Sequence, residues 1–280
     1  MCIIKRNSKW YDDNKQKILK RYYENIGVQD IADELHCSRY MIYSKFNEWD
    51  IKRRPRKKSA PRCNAKYKVD YHYFDIINTE HKAYWFGFLM ADGFVNNTEI
   101  SLCLQKSDIH MIKQFATDLK CNAPIKYNKD GNPFLTITCK SMCNSLISKG
   151  FHNRKSWDLD FDFLRSFVPE PLLRHFIRGM FDGDGCLKYY QYPYLNKPQI
   201  HLGYTGLENV CQFIRSYFHI DRPLIHEKNK TYTVVTRKPE LVLQICSYMY
   251  DDCDIYLLRK YNTYHEIKMM TFNDYNKAVS

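Results

Sequence analysis

The sequence predicts an α+β protein: two pseudo-symmetric αββαββα repeats with antiparallel sheets, preceded by a small all-α domain. Three observations predict it. A pattern of helices and alternating strands occurs twice after residue 78; two apolar helices each end in Asp-Gly; and a short helical stretch is set off by a basic, proline-broken run.

The helical stretch spans residues 14–49, inside a domain placed at 1–50. Ile31, Ala32 and Leu35 would pack from one helix, and Ile42 and Phe46 from the next. Ser38 is a natural N-cap for the second. The segment VQDIADELHCSRYMIYSKFNEW resembles a helix-turn-helix, with His36 where glycine often stands. That reading leaves Arg39, Tyr40, Tyr43 and Ser44 available to a DNA major groove. Residues 51–77 are assigned to a linker beginning IKRRPRKKSAPRC. Pro55 and Pro61 block helix there, and six of the seven residues 52–58 are cationic. Arg53, Arg54 and Arg56 suit a minor groove or a line of phosphates.

The first repeat is placed at 78–168 and the second at 169–280. In the first, a helix through YWFGFLMADG leads to strands around 94–95 and 99–105. A helix at 108–119 follows, then strands at 124–127 and 134–138 around Asp130-Gly131, and a helix at 141–149. In the second, a helix through FIRGMFDGDG leads to strands around 186–192 and 199–204. A helix at 208–218 precedes strands at 223–226 and 231–235, and another helix starts at Pro239. The X-Pro units of Val168-Pro169-Glu170-Pro171 favour extended backbone and make a joint between the copies.

Composition excludes several classes. Hydrophobic residues make up 44% and aromatics 15%, too many for a disordered chain, while no apolar run approaches membrane-spanning length. The start, MCIIKRNSKWYDD, lacks the apolar core of a signal peptide, so an intracellular protein with no membrane partner is expected. Eleven cysteines include no CxxC pair, which favours buried free thiols over zinc or disulfides. Of the net charge of +12, residues 1–70 hold +9, from 18 Lys+Arg against 9 Asp+Glu. A basic excess of that kind calls for a polyanion near the N-terminal part.

The chemistry is concentrated at the two Asp-Gly helix ends. Gly87 and Ala91, and Gly179 and Gly183, lie four apart and so on one helical face, where two backbones can approach closely. The glycine after each aspartate suits a left-handed helix terminus. The aspartates themselves do not suit it. Asp92 and Asp184 would meet the negative end of a helix dipole and, with the helices parallel, each other. Divalent cations relieve both penalties, and Mg²⁺ favours such oxygen ligands.

YWFGFLMADG and FIRGMFDGDG resemble the paired signature helices of LAGLIDADG homing endonucleases, over roughly residues 78–270. The resemblance implies a single-chain, two-motif enzyme whose signature helices form the central interface and whose saddle-shaped sheets lie in the DNA major groove. It implies that Asp92 and Asp184 bind catalytic Mg²⁺ (or Mn²⁺), and that a monomer makes a double-strand break in a long, pseudo-palindromic site. Met90 stands where many members carry an extra acid; the second copy has Asp182. Lys155 and Lys260 follow the last helix of their copies, where the family places an active-site lysine, and the adjacent Arg154 and Arg259 suit phosphates. Gln105, Asp108, Lys126, Lys188, Tyr190 and Thr205 lie on or beside the predicted hairpins, with the DNA-facing subset dependent on strand register. A non-catalytic DNA-binding regulator and an RNA maturase on the same scaffold stay open as alternatives.

Overall fold

The computed structural model describes residues 6–24, 26–51, 67–151, 159–190 and 198–279, without the side chains of 271–279. It divides into two compact units, Met1–Ala60 and Pro61–Ser280.

In the smaller unit, α1 (Ser8–Asp13), α2 (Lys15–Tyr23), α3 (Val28–Glu34) and α4 (Arg39–Glu48) surround one core. Ile31, Ala32, Leu35, Ile42 and Phe46 are all in it, joined by Tyr11, Ile18 and Tyr22. The turn between α3 and α4 places His36 at φ 46°, the left-handed conformation that explains why glycine is expected there. Ser38 does occupy the N-cap of α4, but its side chain makes no cap bond. Its N–H instead donates to the Tyr11 hydroxyl at 3.0 Å, a partner from α1. At six residues α1 is too short to show a period in the sequence.

The larger unit carries the duplicated order. First come α5 (Glu80–Ala91), β1 (Gly93–Val95), β2 (Glu99–Cys103), α6 (Ile109–Asp118), β3 (Lys126–Tyr127), β4 (Pro133–Thr138) and α7 (Lys140–Ile147). After α8 (Phe161–Arg165) come α9 (Leu173–Asp184), β5 (Gly185–Tyr190), β6 (Gln199–Leu207), α10 (Glu208–Tyr217), β7 (Ile225–His226), β8 (Thr231–Thr236) and α11 (Pro239–Tyr250). The long α12 (Leu258–Val279) follows. Each repeat forms a four-stranded antiparallel sheet, ordered β1-β2-β4-β3 and β5-β6-β8-β7.

Alternation fixes the two faces of each sheet. Val95, Ile100, Leu102, Leu135 and Ile137 face the core in the first, and Leu187, Ile200, Leu202, Tyr204 and Val234 in the second. Residues 83–90 of α5 are all buried, so this helix has no solvent face and lies at the centre of its unit.

The linker assigned to 51–77 extends too far. Val69, Tyr73, Phe74 and Ile77 are buried in the core of the larger unit. The Asp70 N–H donates to the Leu119 carbonyl at 2.8 Å, and the Ser145 hydroxyl to that of Phe74 at 3.0 Å. These apolar residues follow neither a helical nor a strand period, because Tyr73 and Phe74 sit in turns and Val69 and Ile77 in the irregular chain on either side.

Candidate active site at the paired helix ends

The small residues of α5 and α9 meet face to face. A Cβ added at Gly87 would lie 2.1 Å from the Phe176 carbonyl oxygen, and one at Gly179 would lie 2.0 Å from that of Tyr84. One turn on, a Cβ at Gly183 would come within 2.3 Å of the Ala91 Cβ. The contacts run in the same direction along both chains and are reciprocal, so the helices are parallel and related by a local twofold. Any side chain larger than hydrogen at Gly87 or Gly179 would push backbone from backbone.

The glycines that follow the aspartates are required for a different reason from the one the sequence suggested. Gly185 has φ −78° and ψ 159°, which is extended, not left-handed. Among the described glycines only Gly131 and Gly150 have positive φ. What excludes a side chain is the turn behind: a Cβ on Gly93 would lie 2.7 Å from the Leu89 carbonyl, and one on Gly185 2.4 Å from that of Phe181. Each chain leaves its helix directly into a strand, and the bend presses the glycine against the last turn.

This bend delivers the carboxylates. Asp92 and Asp184 are both exposed, at the C-terminal ends of α5 and α9. The Asp92 carboxylate lies across α9, with Oδ2 at 3.5 Å from where a Cβ of Gly183 would stand. The buried Tyr204 hydroxyl hydrogen-bonds Asp184, and its pKa is raised well above the ordinary value by burial and then by the charges of Asp184 and Asp92. Lys260 is 3% exposed and directs its ammonium at the carbonyls of Phe181 (2.5 Å) and Asp182 (2.9 Å). Burial lowers its pKa to about 8, against the opposing pull of Asp182, Asp92 and Asp184.

No family sequence model and no curated protein matches the chain. Solved structures do. The LAGLIDADG meganuclease I-AabMI, bound to uncleaved DNA, shares 13% identity over 69% of this chain and 91% of its own, with a TM-score of 0.53. I-SmaMI, bound to an uncleaved DNA target in the presence of calcium ions, shares 11% identity over 70% and 92%, with a TM-score of 0.51. The chain has the LAGLIDADG homing-endonuclease fold. At these identities the likeness is one of fold.

On that LAGLIDADG scaffold the outer face of the second sheet carries Lys188, Tyr190, His201, Thr205 and Thr233, and that of the first carries Phe94, Ser101, Lys126 and Thr136. Lys126, Lys188, Tyr190 and Thr205 are therefore on the non-core face. His201 has its pKa lowered by burial and by Arg237, Lys188 and Arg222, which together make this end of the second sheet cationic. Gln105 and Arg259 are differently engaged: Gln105 Nε2 (2.9 Å) and Arg259 Nε (3.2 Å) both donate to the buried Asp108 carboxylate. In the smaller unit Arg39, Tyr40, Tyr43 and Ser44 are exposed along α4, with the Arg39 guanidinium over the Tyr40 ring at 4.9 Å. Arg53, Arg54, Arg56, Arg154 and Lys155 lie outside the described residues.

Among the described residues no three His, Cys, Asp or Glu side chains gather as a metal cage would require. A pair of carboxylates suits Mg²⁺, which commonly takes one or two protein oxygens and fills its shell with water and phosphate. Sequence reasoning missed Tyr84, Tyr204 and Tyr250, which hydrogen-bond aspartates at these helix ends. Only strand register and helix packing bring them there.

Proposed function

We propose that the chain is a site-specific DNA endonuclease making a Mg²⁺- (or Mn²⁺-) dependent double-strand break, with Asp92 and Asp184 as metal ligands. The observation that carries this reading is the convergence of two exposed carboxylates at the ends of two helices in backbone contact, over the buried ammonium of Lys260. Bound metal would supply an activated water and stabilise the attacking and leaving oxygens of the phosphodiester. Asp92 and Asp184 would hold it, and Tyr204 would orient the second carboxylate. Lys260, with a pKa drawn toward neutrality, offsets the negative end of α9, and Lys155 would serve the first copy.

The outer sheet faces would lie along duplex DNA, with Lys188 and its arginine neighbours on one arm and Gln105 a candidate DNA contact beside the first hairpin, while Arg154 and Arg259 are candidate phosphate contacts. In the smaller unit α3 and α4 would act as a helix-turn-helix, presenting Arg39, Tyr40, Tyr43 and Ser44, with Arg53, Arg54 and Arg56 on phosphates. The expected substrate is a long, pseudo-palindromic site bound by a monomer inside the cell.

The test is selection of cleaved sequences from a randomised duplex library with Mg²⁺ or EDTA. Asp92→Asn and Asp184→Asn should each lower cleavage of the selected site by about 10²-fold or more while binding persists. Binding without cutting in any sequence would move the protein to a DNA-binding regulator; preference for a folded intron RNA would make it a maturase.

A further inference from the structure

We propose that Lys188, His201 and Arg237 form a row on the outer face of the second sheet that reads guanine in the major groove of the target. The inference rests on the reading above only for the placement of duplex DNA on that face.

Strand register sets the row. β5 and β6 pair Lys188 with His201, while β6 and β8 pair Leu202 with Thr236, so Arg237, next in the chain, comes alongside His201. Leu187, Ile200 and Leu202 turn into the core, which puts Lys188 and His201 on the opposite face. Lys188 and Arg237 are exposed and His201 is half-buried. The imidazole leans along β6 toward Gly203, where an added Cβ would stand 3.1 Å from its Nε2. A ring lying down in this way makes a shallow floor, with Lys188 on one side and Arg237 on the other.

The dimensions favour base edges over phosphates. Neighbouring strands lie about 4.8 Å apart, so the row spans roughly 10 Å, inside the ~12 Å width of the major groove. Side chains held within that width meet the groove floor, whereas contacts to both backbones must straddle it.

Electrostatics select the base. His201 has its pKa lowered by burial and then by Arg237, Lys188 and Arg222, the mark of cations crowded about one imidazole. Such a cluster repels itself, and an electronegative edge relieves the repulsion. Lysine and arginine bring donors and no acceptor. Guanine offers two acceptors, N7 and O6, at its major-groove edge. Adenine sets a donor beside its N7, cytosine offers a donor, and thymine has one acceptor beside a methyl group. Lys188 and Arg237 therefore match guanine, with an N–H of His201 as a third donor between them.

The experiment selects duplexes by binding to the full chain from a randomised library, without Mg²⁺. Each guanine of the selected site is then replaced by 7-deazaguanine, which lacks the N7 acceptor, or by inosine, which keeps N7 and O6. At the guanine under the row, 7-deazaguanine should weaken binding roughly fivefold to a hundredfold and inosine should leave it unchanged. Lys188→Met and Arg237→Met, both at exposed positions, should weaken binding to the unmodified site and shrink the 7-deazaguanine penalty at that same guanine. His201→Ala should remove a smaller part of it. A selected site without guanine overturns the inference, as does a penalty that none of the variants changes. Weakening that is uniform across sequences, with a smaller salt slope and an unchanged guanine penalty, would make Lys188 and Arg237 phosphate contacts and overturns it too. A chain that reads guanine through this row and cuts no duplex upholds the inference and overturns the nuclease reading alone.

Discussion

The two signature helices occupy matched positions and solve the same packing problem with opposite chemistry. Behind α5, Phe86 packs on Phe151, with ring centroids 5.1 Å apart, and so holds the chain that leaves α7. At the matching position of α9 stands Arg178, fully buried, holding the chain that leaves α11 through hydrogen bonds to the Met249 and Ile255 carbonyls at 2.7 and 2.8 Å. Its remaining nitrogen reaches Glu80 of α5 at 2.7 Å. One turn later the contrast repeats, with Met90 against Asp182. The difference teaches that a twofold scaffold constrains backbone approach far more than side-chain chemistry. Gly87 and Gly179 are the same because carbonyls lie against them; Phe86 and Arg178 differ because either can anchor a neighbouring segment. Apolar anchoring tolerates change, whereas a buried polar network is unforgiving once one member is lost.

The largest expected effect breaks that network. Arg178→Met keeps volume but leaves the Met249 and Ile255 carbonyls without this donor and Glu80 without its buried cation, with the Asp254 N–H at 2.8 Å still donating to it, and should cost about 3–5 kcal/mol. Phe86→Leu in the first repeat should cost roughly 1–1.5 kcal/mol. Equilibrium denaturation of both variants checks the ratio. Equal losses would mean that the buried arginine is no more demanding than the phenylalanine.

The shared feature predicts equality instead. Gly87→Ala and Gly179→Ala insert a Cβ at 2.1 and 2.0 Å from opposing carbonyls. Each should cost roughly 1–3 kcal/mol by overpacking, and the same within a few tenths. A large difference between the two would show that the helices do not approach symmetrically, and the denaturation midpoints decide it.

The same distinction governs which features are legible in the sequence. Backbone-level features were legible: the αββαββα order, the small residues four apart, and the Asp-Gly ends. They leave local traces in periodicity and spacing. The reason for Gly93 and Gly185 was not legible, because left-handed geometry and close approach both demand glycine. The tyrosines were hidden for another reason. Tyr204 reaches Asp184 only through the register of β6 on β5, and Tyr250 reaches Asp182 across 68 residues of chain. Asp182 was visible as an extra acid, yet the Leu257 N–H that donates to it arrives with the start of α12, which nothing local announces. The turns at 69–77 were absorbed into the linker because irregular segments carry no period.

The smallest expected effect separates two histidines, one on each signature helix, by the sign of their pH dependence. His175 on α9 is drawn from its ordinary 6.5 to about 4 by burial and by the Arg178 charge, with Arg174 adding to them and Glu80 and Asp254 opposing. Its neutral Nδ1 lies 2.9 Å from Arg178 Nη1, where a protonated ring would place two cations in contact. The unfolded chain binds this proton from pH 6.5 downward and the folded chain resists it, so stability should fall as pH drops from 6.5 toward 4. His81 on α5 is shifted upward by its bond to the Asp118 carboxylate, at 2.8 Å, despite partial burial. Its contribution is complete below 6.5 and is lost as pH rises through the higher folded value. Denaturation across pH 4–8 should therefore lose its acid-side slope in His175→Gln and its alkaline-side slope in His81→Gln. The two windows meet at 6.5 and do not overlap, so a His175→Gln variant that flattens the alkaline limb would put the proton on the wrong helix. A flat profile in the parent chain would deny that burial against Arg178 distinguishes the second repeat from the first.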